Sequence, residues 1–558
     1  DGACVDPPDG ECGGKGYIGC DLWAVGLDNI AIPCTTSSDC PNSGQCGSDG
    51  ACVDGNANAT QYAITVSNTT ATAVDVEVYD GSNTQVASET VQANALTTID
   101  LPRQDVQGSV LGGDSFRIAA SGPITVHQFN PKSNTANVFS NDASLLLPSN
   151  ALGSEYLILG WPSLPRGTPQ SPDTLKAFVT VVASENGDTS VTVDTPVAIQ
   201  SGQGVSAIPA GGSETFTLSQ GKVLQLAVES DASTPMDPTG MTISADKNVA
   251  VFVGNECANV PTDTPFCDHM EQQAYPTNTW GNEYVISKFF SRGTEPDVFR
   301  VTAAQDGTTI STQPAISGAN GAQLDRGEVL EFSTDQDFIL TGTQPIAMGQ
   351  FMVGSAYPGP SGGCDPQQGV SSGCQITTTI TQPAGLSSCT SNFDCDSFEF
   401  IYGGDWYCET SGELANSCVS RCSNDSVCTS IDASLYCPSS GPGAGKCSRD
   451  RRIGDPAFLL NVPSSQFRSD YFVLTPTDYA FDYLNFVFEQ GTTITLDGAS
   501  IGSSSTAIGS SNWRVMRVPV DPGPHQITAS NPIGLTAYGY KLDVSYAYPG
   551  GLDLETGP

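Results

Sequence analysis

Short apolar runs, alternating or continuous, recur along most of the chain between turn-forming residues. Tyr62–Val66, Val74–Tyr79, Phe178–Val182 and Ser190–Val193 carry hydrophobic side chains at a period of two or without a break. Those are the patterns of half-buried and fully buried β-strands. Asp80-Gly81, Asn186-Gly187, Asp306-Gly307 and Asp497-Gly498 fall between such runs as hairpin turns. No fifteen-residue window carries a 3.6-residue period, so helices are expected to be scarce.

A longer period overlies the strands. A strand, a loop, a Pro-containing segment and a Tyr-containing strand follow one another three times. The first copy is Ile124–Phe129, Asp142–Pro148 and Glu155–Leu159. The second is Val249–Val253, Pro276 and Glu283–Ile286, and the third is Ala347–Met352, Asp455–Pro463 and Asp470–Leu474. The pattern predicts an all-β chain of tandem β-sandwich units with disulfide-rich, loop-rich insertions. The expected divisions are a Cys-rich head at 1–58, sandwich units at 59–131, 132–254, 255–353 and 454–548, a Cys-rich insertion at 354–453 and a linker at 549–558. Each unit has ordinary sandwich size. A long surface insertion is tolerable because closure entropy grows slowly with length. The units are expected to succeed one another as a rod.

The 19 cysteines concentrate in the head and the insertion. Cys34, Cys40, Cys46 and Cys52 lie at six-residue intervals. Two related sets are Cys389, Cys395, Cys408, Cys418 and Cys422, Cys428, Cys437, Cys447, each opening with Cys-x5-Cys. They read as three copies of one microdomain, too poor in apolar residues to hold without crosslinks. Two bridges are expected in each, with three connectivities open. Zinc is the rival reading, but it favours Cys-x2–4-Cys pairs, and Cys-x2-Cys does not occur. Cys257 and Cys267 stand ten apart in a loop after a strand, as do Cys364 and Cys374, and each pair is expected to staple its loop. Cys4, Cys12 and Cys20 leave one odd cysteine.

Charge narrows the partners. With 60 acidic and 21 basic residues the net charge is −39, which argues against nucleic acid or an anionic membrane, since phosphate contacts need clustered Lys and Arg. No apolar run approaches the roughly 20 residues that span a bilayer. The chain starts at Asp1 without an apolar leader, which suggests processing or excision from a longer protein. The cysteine density points to an oxidising, extracellular compartment.

The most specific stretch is Val249–Phe290. Gly254 and Cys257 follow a buried strand; then come Cys267-Asp268-His269, Glu271-Gln272, Pro276, Trp280-Gly281 and Tyr284-Val285. This block resembles the N-terminal domain family of the IgG Fc-binding proteins, found in mucus proteins and large secreted bacterial proteins. The resemblance extends over about Tyr62–Tyr548, outside the Cys-rich pieces. It implies an extracellular β protein used in adhesion or matrix-like assemblies, with His269, Trp280 and Gly281 in structural roles. The partners it implies are copies of the chain or an extracellular protein or glycan. Fc binding goes with the family name, but no residue set here can be tied to it.

Candidate chemistry is sparse. The 3 histidines form no His-Glu-x-x-His motif. Gly498-Ala499-Ser500-Ile501-Gly502, with Asp521 and His525, has the residue order of a serine hydrolase, but that elbow needs a strand leading into a helix, and here a β-turn precedes it. Gly454-Asp455-Pro456 is similar to a self-cleavage site of mucin-type domains, with Ala457 where the required His would be. No EF-hand loop is present, and irregular Ca2+ sites built from loop Asp remain open in so acidic a chain. Asn58, Asn68 and Asn424 head N-glycosylation sequons. No enzymatic activity is expected. The leading reading is a surface or matrix protein that adheres or self-assembles. The alternatives are a binding module of a larger secreted protein and, remotely, a serine hydrolase.

Overall fold

The computed structural model describes residues 16–30, 60–104, 106–132, 140–165, 175–228, 234–357, 453–502, 504–541 and 543–554. It adds isolated positions up to residue 57 and strand backbones at 375–379, 405–408, 418–421 and 448–452. Antiparallel strands dominate, with short 3-10 turns at Ser149–Ala151, Thr277–Thr279 and Ser464–Gln466 and no α-helix among the described residues. No described helix is long and apolar enough to cross a membrane.

Four β-sandwiches follow one plan. A long strand is shared between two groups of strands: Phe116–Asn130 in the first, Thr242–Ala258 in the second and Gly523–Lys541 in the fourth. In the third the same path is broken into Phe338–Gly342 and Ile346–Phe351. An opening strand pairs with the first half: Gly19–Ala24, Gly153–Leu157, Glu283–Ile286 or Arg468–Thr475. A closing strand pairs with the second half: Asp142–Leu146, Asp268–Gln273, Phe458–Leu460 or Val544–Pro549. Burial explains the two sequence patterns. Val74, Val76 and Val78 face inward between more exposed Asp75 and Glu77, while Ala177–Ala183 is covered on both faces and reads as an unbroken apolar run.

Strand pairing crosses the margins read from the sequence. Gly19–Ala24 lies within the 1–58 head yet pairs with Phe116–Asn130. The first three closing strands come from segments the sequence reading assigned to the following unit. The strand Val110–Asp114 leaves the first sandwich and pairs with Lys222–Ala227 of the second.

The sandwiches close into a ring instead of a rod. Gln272 Nε2 donates to the carbonyls of Ala143 at 3.0 Å, Phe458 at 2.9 Å and Ala547 at 3.2 Å, one on each of the other three closing strands. Between the second and third sandwiches, Arg300 pairs with Asp237 and lies 5.4 Å from the Trp161 ring. Between the third and fourth, Asn485 Nδ2 donates to Lys288 O at 3.0 Å. The fourth returns to the first: His127 and Tyr548 rings lie 4.4 Å apart, and Tyr17 N–H donates to Leu552 O at 3.1 Å. One apolar core runs from Tyr17 to Leu554, beside a separate core in the third sandwich around Phe299, Phe338 and Met348.

Candidate functional site

A closing strand pairs with its long strand along one edge, so its other edge turns bare N–H and C=O groups into the buried centre of the ring. Such groups need partners. Side chains from the neighbouring closing strands supply them. Asp142 Oδ1 accepts the Ala143 N–H at 2.8 Å and Oδ2 accepts the Glu271 N–H at 3.0 Å. Asp268 Oδ1 accepts the Asn141 N–H at 2.9 Å, and its Oδ2 accepts the Ser545 N–H at 3.4 Å. Ser144 Oγ accepts the Gln273 N–H at 2.9 Å, and Gln273 Oε1 accepts the Leu147 N–H at 2.7 Å. Burial pushes the Asp142 carboxyl well above the usual carboxylate range, and the nearby Glu271 adds to the shift. Burial does the same at Asp268, helped by Asp455 and Asp142.

The family-like block lies in this hub. His269 is fully buried, its Nε2 3.2 Å from Glu271 Oε2. Glu271 in turn accepts from Gln128 Nε2 at 2.9 Å and Asn130 Nδ2 at 3.4 Å. Trp280 is buried and donates its Nε1–H to Tyr275 O at 3.3 Å. Gly281 is required by close approach, since an added Cβ would stand 2.5 Å from Pro463 Cβ; at Gly153 it would stand 2.7 Å from Pro276 Cβ. The recurrent prolines therefore pack on the opening strand of their own sandwich.

Arg292, which no sequence pattern singled out, closes the root of the 354–453 insertion. The buried guanidinium donates Nη2–H to Val353 O at 2.7 Å, and Nη1–H to Ile453 O at 2.9 Å and Gly454 O at 2.7 Å. Asp455 Oδ1 accepts the Ser355 N–H at 3.0 Å beside it. Gly454 has φ +83°, and a Cβ there would meet Ser545 Oγ at 2.5 Å, which accounts for the glycine of the Gly-Asp-Pro run. A lone Arg between turn residues looks solvated in sequence; only the return of the chain 160 residues later buries it.

The hydrolase-like residues are not brought together. Ser500 lies on the hairpin strand Ala499–Ile501, paired with Thr495, at the lining of an open cleft of about 700 Å³. His525 does not line that cleft. Its Nδ1 is 2.8 Å from Asp497 Oδ2, and its Nε2 is 2.9 Å from the Asp521 carbonyl and 3.2 Å from Thr475 Oγ1. Asp521 thus meets the imidazole through its backbone, and no bond joins His525 to Ser500 among the described residues.

Of the cysteines, Cys257 is bonded to Cys267, Cys34 to Cys46 and Cys12 to Cys20. Cys408 and Cys418 are backbone partners in the pairing of Asp405–Cys408 with Cys418–Arg421. Cys4, Cys40, Cys52, Cys364, Cys374, Cys389, Cys395, Cys422, Cys428, Cys437 and Cys447 lie outside the described residues, as do Asn58 and Asn424. The Asn68 amide is buried and donates to Thr72 O, Val91 O and Gln92 O at 2.8, 3.0 and 3.1 Å, so the folded chain has no room for a glycan there. Among the described residues no three His, Cys, Asp or Glu side chains converge to hold a metal ion.

The human IgGFc-binding protein is 30% identical over 230 residues, a match covering 41% of this chain and 4% of the human protein. This chain therefore spans a small fraction of that relative. A crystal structure described as the tetra-tandem repeat in the extending region of a large adhesion protein overlaps 90% of this chain and 98% of its own at 9% identity, but at a TM-score of 0.08 it informs neither fold nor function. The sequence profile of the IgGFc binding protein family matches residues 142–377 and 409–539, which include the closing strands Asp268–Gln273 and Phe458–Leu460. The chain belongs to the IgGFc-binding family.

Proposed function

We propose that this chain is an extracellular structural or adhesion protein whose ring is a rigid scaffold, acting through contacts with copies of itself or with an extracellular protein or glycan. The observation that carries the reading is the use of the hub's polar residues. Asp142, Asp268, Gln272 and Gln273 satisfy backbone groups, and Glu271 is engaged by Gln128, Asn130 and His269, which leaves recognition to the outer loops and the Cys-rich pieces. The unassembled Ser500, Asp521 and His525 set favours binding over hydrolysis. The −39 charge favours contacts made by strand pairing or through cations such as Ca2+. A second reading, a binding module of a larger secreted protein, is favoured by the 4% coverage of the human relative. Light scattering and electron microscopy of purified chain in calcium and in chelator test the first reading: ordered assemblies are expected, made through the head and the insertion. Assembly unchanged after deletion of residues 389–447 removes the insertion from that contact. A strict monomer that captures an extracellular protein favours the module.

A further inference from the structure

Between the first and second sandwiches lies an open cleft of about 690 Å³, the size of a small-ligand site. One wall is Gln104 with the stretch 106–114, which leaves the first sandwich to join the edge of the second. The other is the turn at 200–203, held on by the Leu111 N–H, which donates to Gln203 O at 2.7 Å. The floor is fixed from behind. Gln225 Nε2 donates to Val106 O at 3.0 Å and Gly108 O at 2.9 Å, and buried Asp28 accepts the Gly108 N–H at 2.6 Å. A cleft held this way is shaped before any ligand arrives, which lowers the ordering cost of binding.

The lining states its chemistry. Gln104, Gln107, Gln200 and Gln203 bring four side-chain amides to one opening, with Ser201 among them. Gln107, Gln200 and Gln203 are exposed, and Gln104 Oε1 is a buried acceptor with no hydrogen-bond partner among the described residues. The charges at the rim are already answered: Lys176 lies 3.6 Å from Glu256, and Asp114 pairs with Lys222. An amide offers a donor and an acceptor side by side, as a hydroxyl does. Among the described lining residues a charged ligand would find no free counter-charge, and an acidic one would meet the repulsion of a −39 chain. An apolar ligand would strip water from amides it cannot bond, which disfavours it. We propose that the cleft between the first two sandwiches binds a neutral oligosaccharide through Gln104, Gln107, Gln200 and Gln203. The site deepens the reading above by naming one extracellular ligand class, and it requires no self-assembly.

The test uses the full chain with N-acetyllactosamine, mannotriose and sialyl-N-acetyllactosamine, followed by calorimetry and saturation-transfer NMR. A neutral sugar is expected to bind with Kd below about 1 mM, more tightly than the sialylated one. Gln107→Ala with Gln203→Ala is expected to weaken it at least tenfold without lowering the melting temperature, because both side chains are exposed. If that double variant melts early, Gln200→Ala repeats the test at a third exposed amide. Absence of binding to both neutral sugars, equal binding by the variants, or preference for the sialylated sugar overturns the proposal. Light scattering on the same samples reads assembly separately, so failure of the cleft and failure of the scaffold reading are distinguishable.

Discussion

Replacing Gln272 with leucine isolates what the hub contributes to the ring. Gln272 is 2% exposed, and its amide serves the carbonyls of Ala143, Phe458 and Ala547. Two N–H bonds cannot fully satisfy three acceptors, so one is shared. Leucine keeps most of the volume and removes both donors, leaving at least two buried carbonyls unanswered at about 1–3 kcal/mol each. Its extra apolar burial returns about 1 kcal/mol. The expected net loss is about 1–5 kcal/mol. Urea unfolding followed by tryptophan fluorescence, in oxidising buffer at pH 6.5, measures it. The three acceptors belong to three different sandwiches, so coupling should fall along with stability. The transition should broaden or split, with a lower slope against denaturant. The exposed Gln344→Leu serves as control and should stay within about 0.5 kcal/mol. A Gln272→Leu loss below about 1 kcal/mol with an unchanged slope would show that the hub bonds do not hold the ring together.

Two further outcomes are expected. Burial raises the Asp482 carboxyl to about 7, against the bond donated by Tyr546 O–H at 2.6 Å. A raised carboxyl contributes stability that is fully present below its unfolded value near 3.8 and is lost as pH rises through 7. His127, depressed by burial to about 3, acts oppositely, but only below its unfolded value of 6.5. Above 6.5 the carboxyls act alone, so unfolding free energy should fall between pH 6.5 and 8.5, and Asp482→Asn should flatten that fall; rising stability over this window would contradict the assignment. Arg292→Lys keeps the charge but cannot span both ends of the insertion with a planar fork. It should cost about 2–4 kcal/mol in the same assay and open the chain near 353 and 453 to limited proteolysis, whereas wild-type resistance would remove Arg292 as the clasp.

Much of the fold was legible because strands announce themselves locally. Val74–Tyr79 alternates and Ala177–Ala183 does not, and each pattern follows from how many faces are covered. The three repeated phrases were also visible, and so was the fold class of tandem sandwiches. What could not be read was the partner of each strand. Asp142–Leu146 precedes the second sandwich in sequence but pairs with Phe116–Asn130 behind it, and periodicity carries no direction of pairing. A fourth copy of the phrase, Val544–Pro549, was hidden by its place at the end of the chain. Gly19–Ala24 was masked by the cysteines around it. The hub residues were visible as a family-like block, whereas Gln272 and Arg292 take their roles from carbonyls far along the chain.

The exchange of closing strands also explains why acids stand at the centre of the ring. A sandwich complete in itself could fill its inner edge with apolar side chains and stand alone. Here three of the four inner edges are supplied by a strand on its way to the next sandwich, so each of those must be ordered in both directions at once. Backbone N–H groups facing inward can be satisfied only by acceptors, and a short carboxylate at the start of a closing strand reaches its own strand and its neighbour together. Asp142 does this with Ala143 and Glu271, and Asp268 with His269 and Asn141. Burial, with added repulsion among these carboxyls, raises their proton affinity, so the arrangement is expected to tolerate acid better than alkali. Because those groups face one another and not solvent, substitutions in the outer loops can alter what is bound without disturbing closure. That separation lets a single ring carry pieces as unlike as the Gln-lined cleft and the Cys-rich insertion.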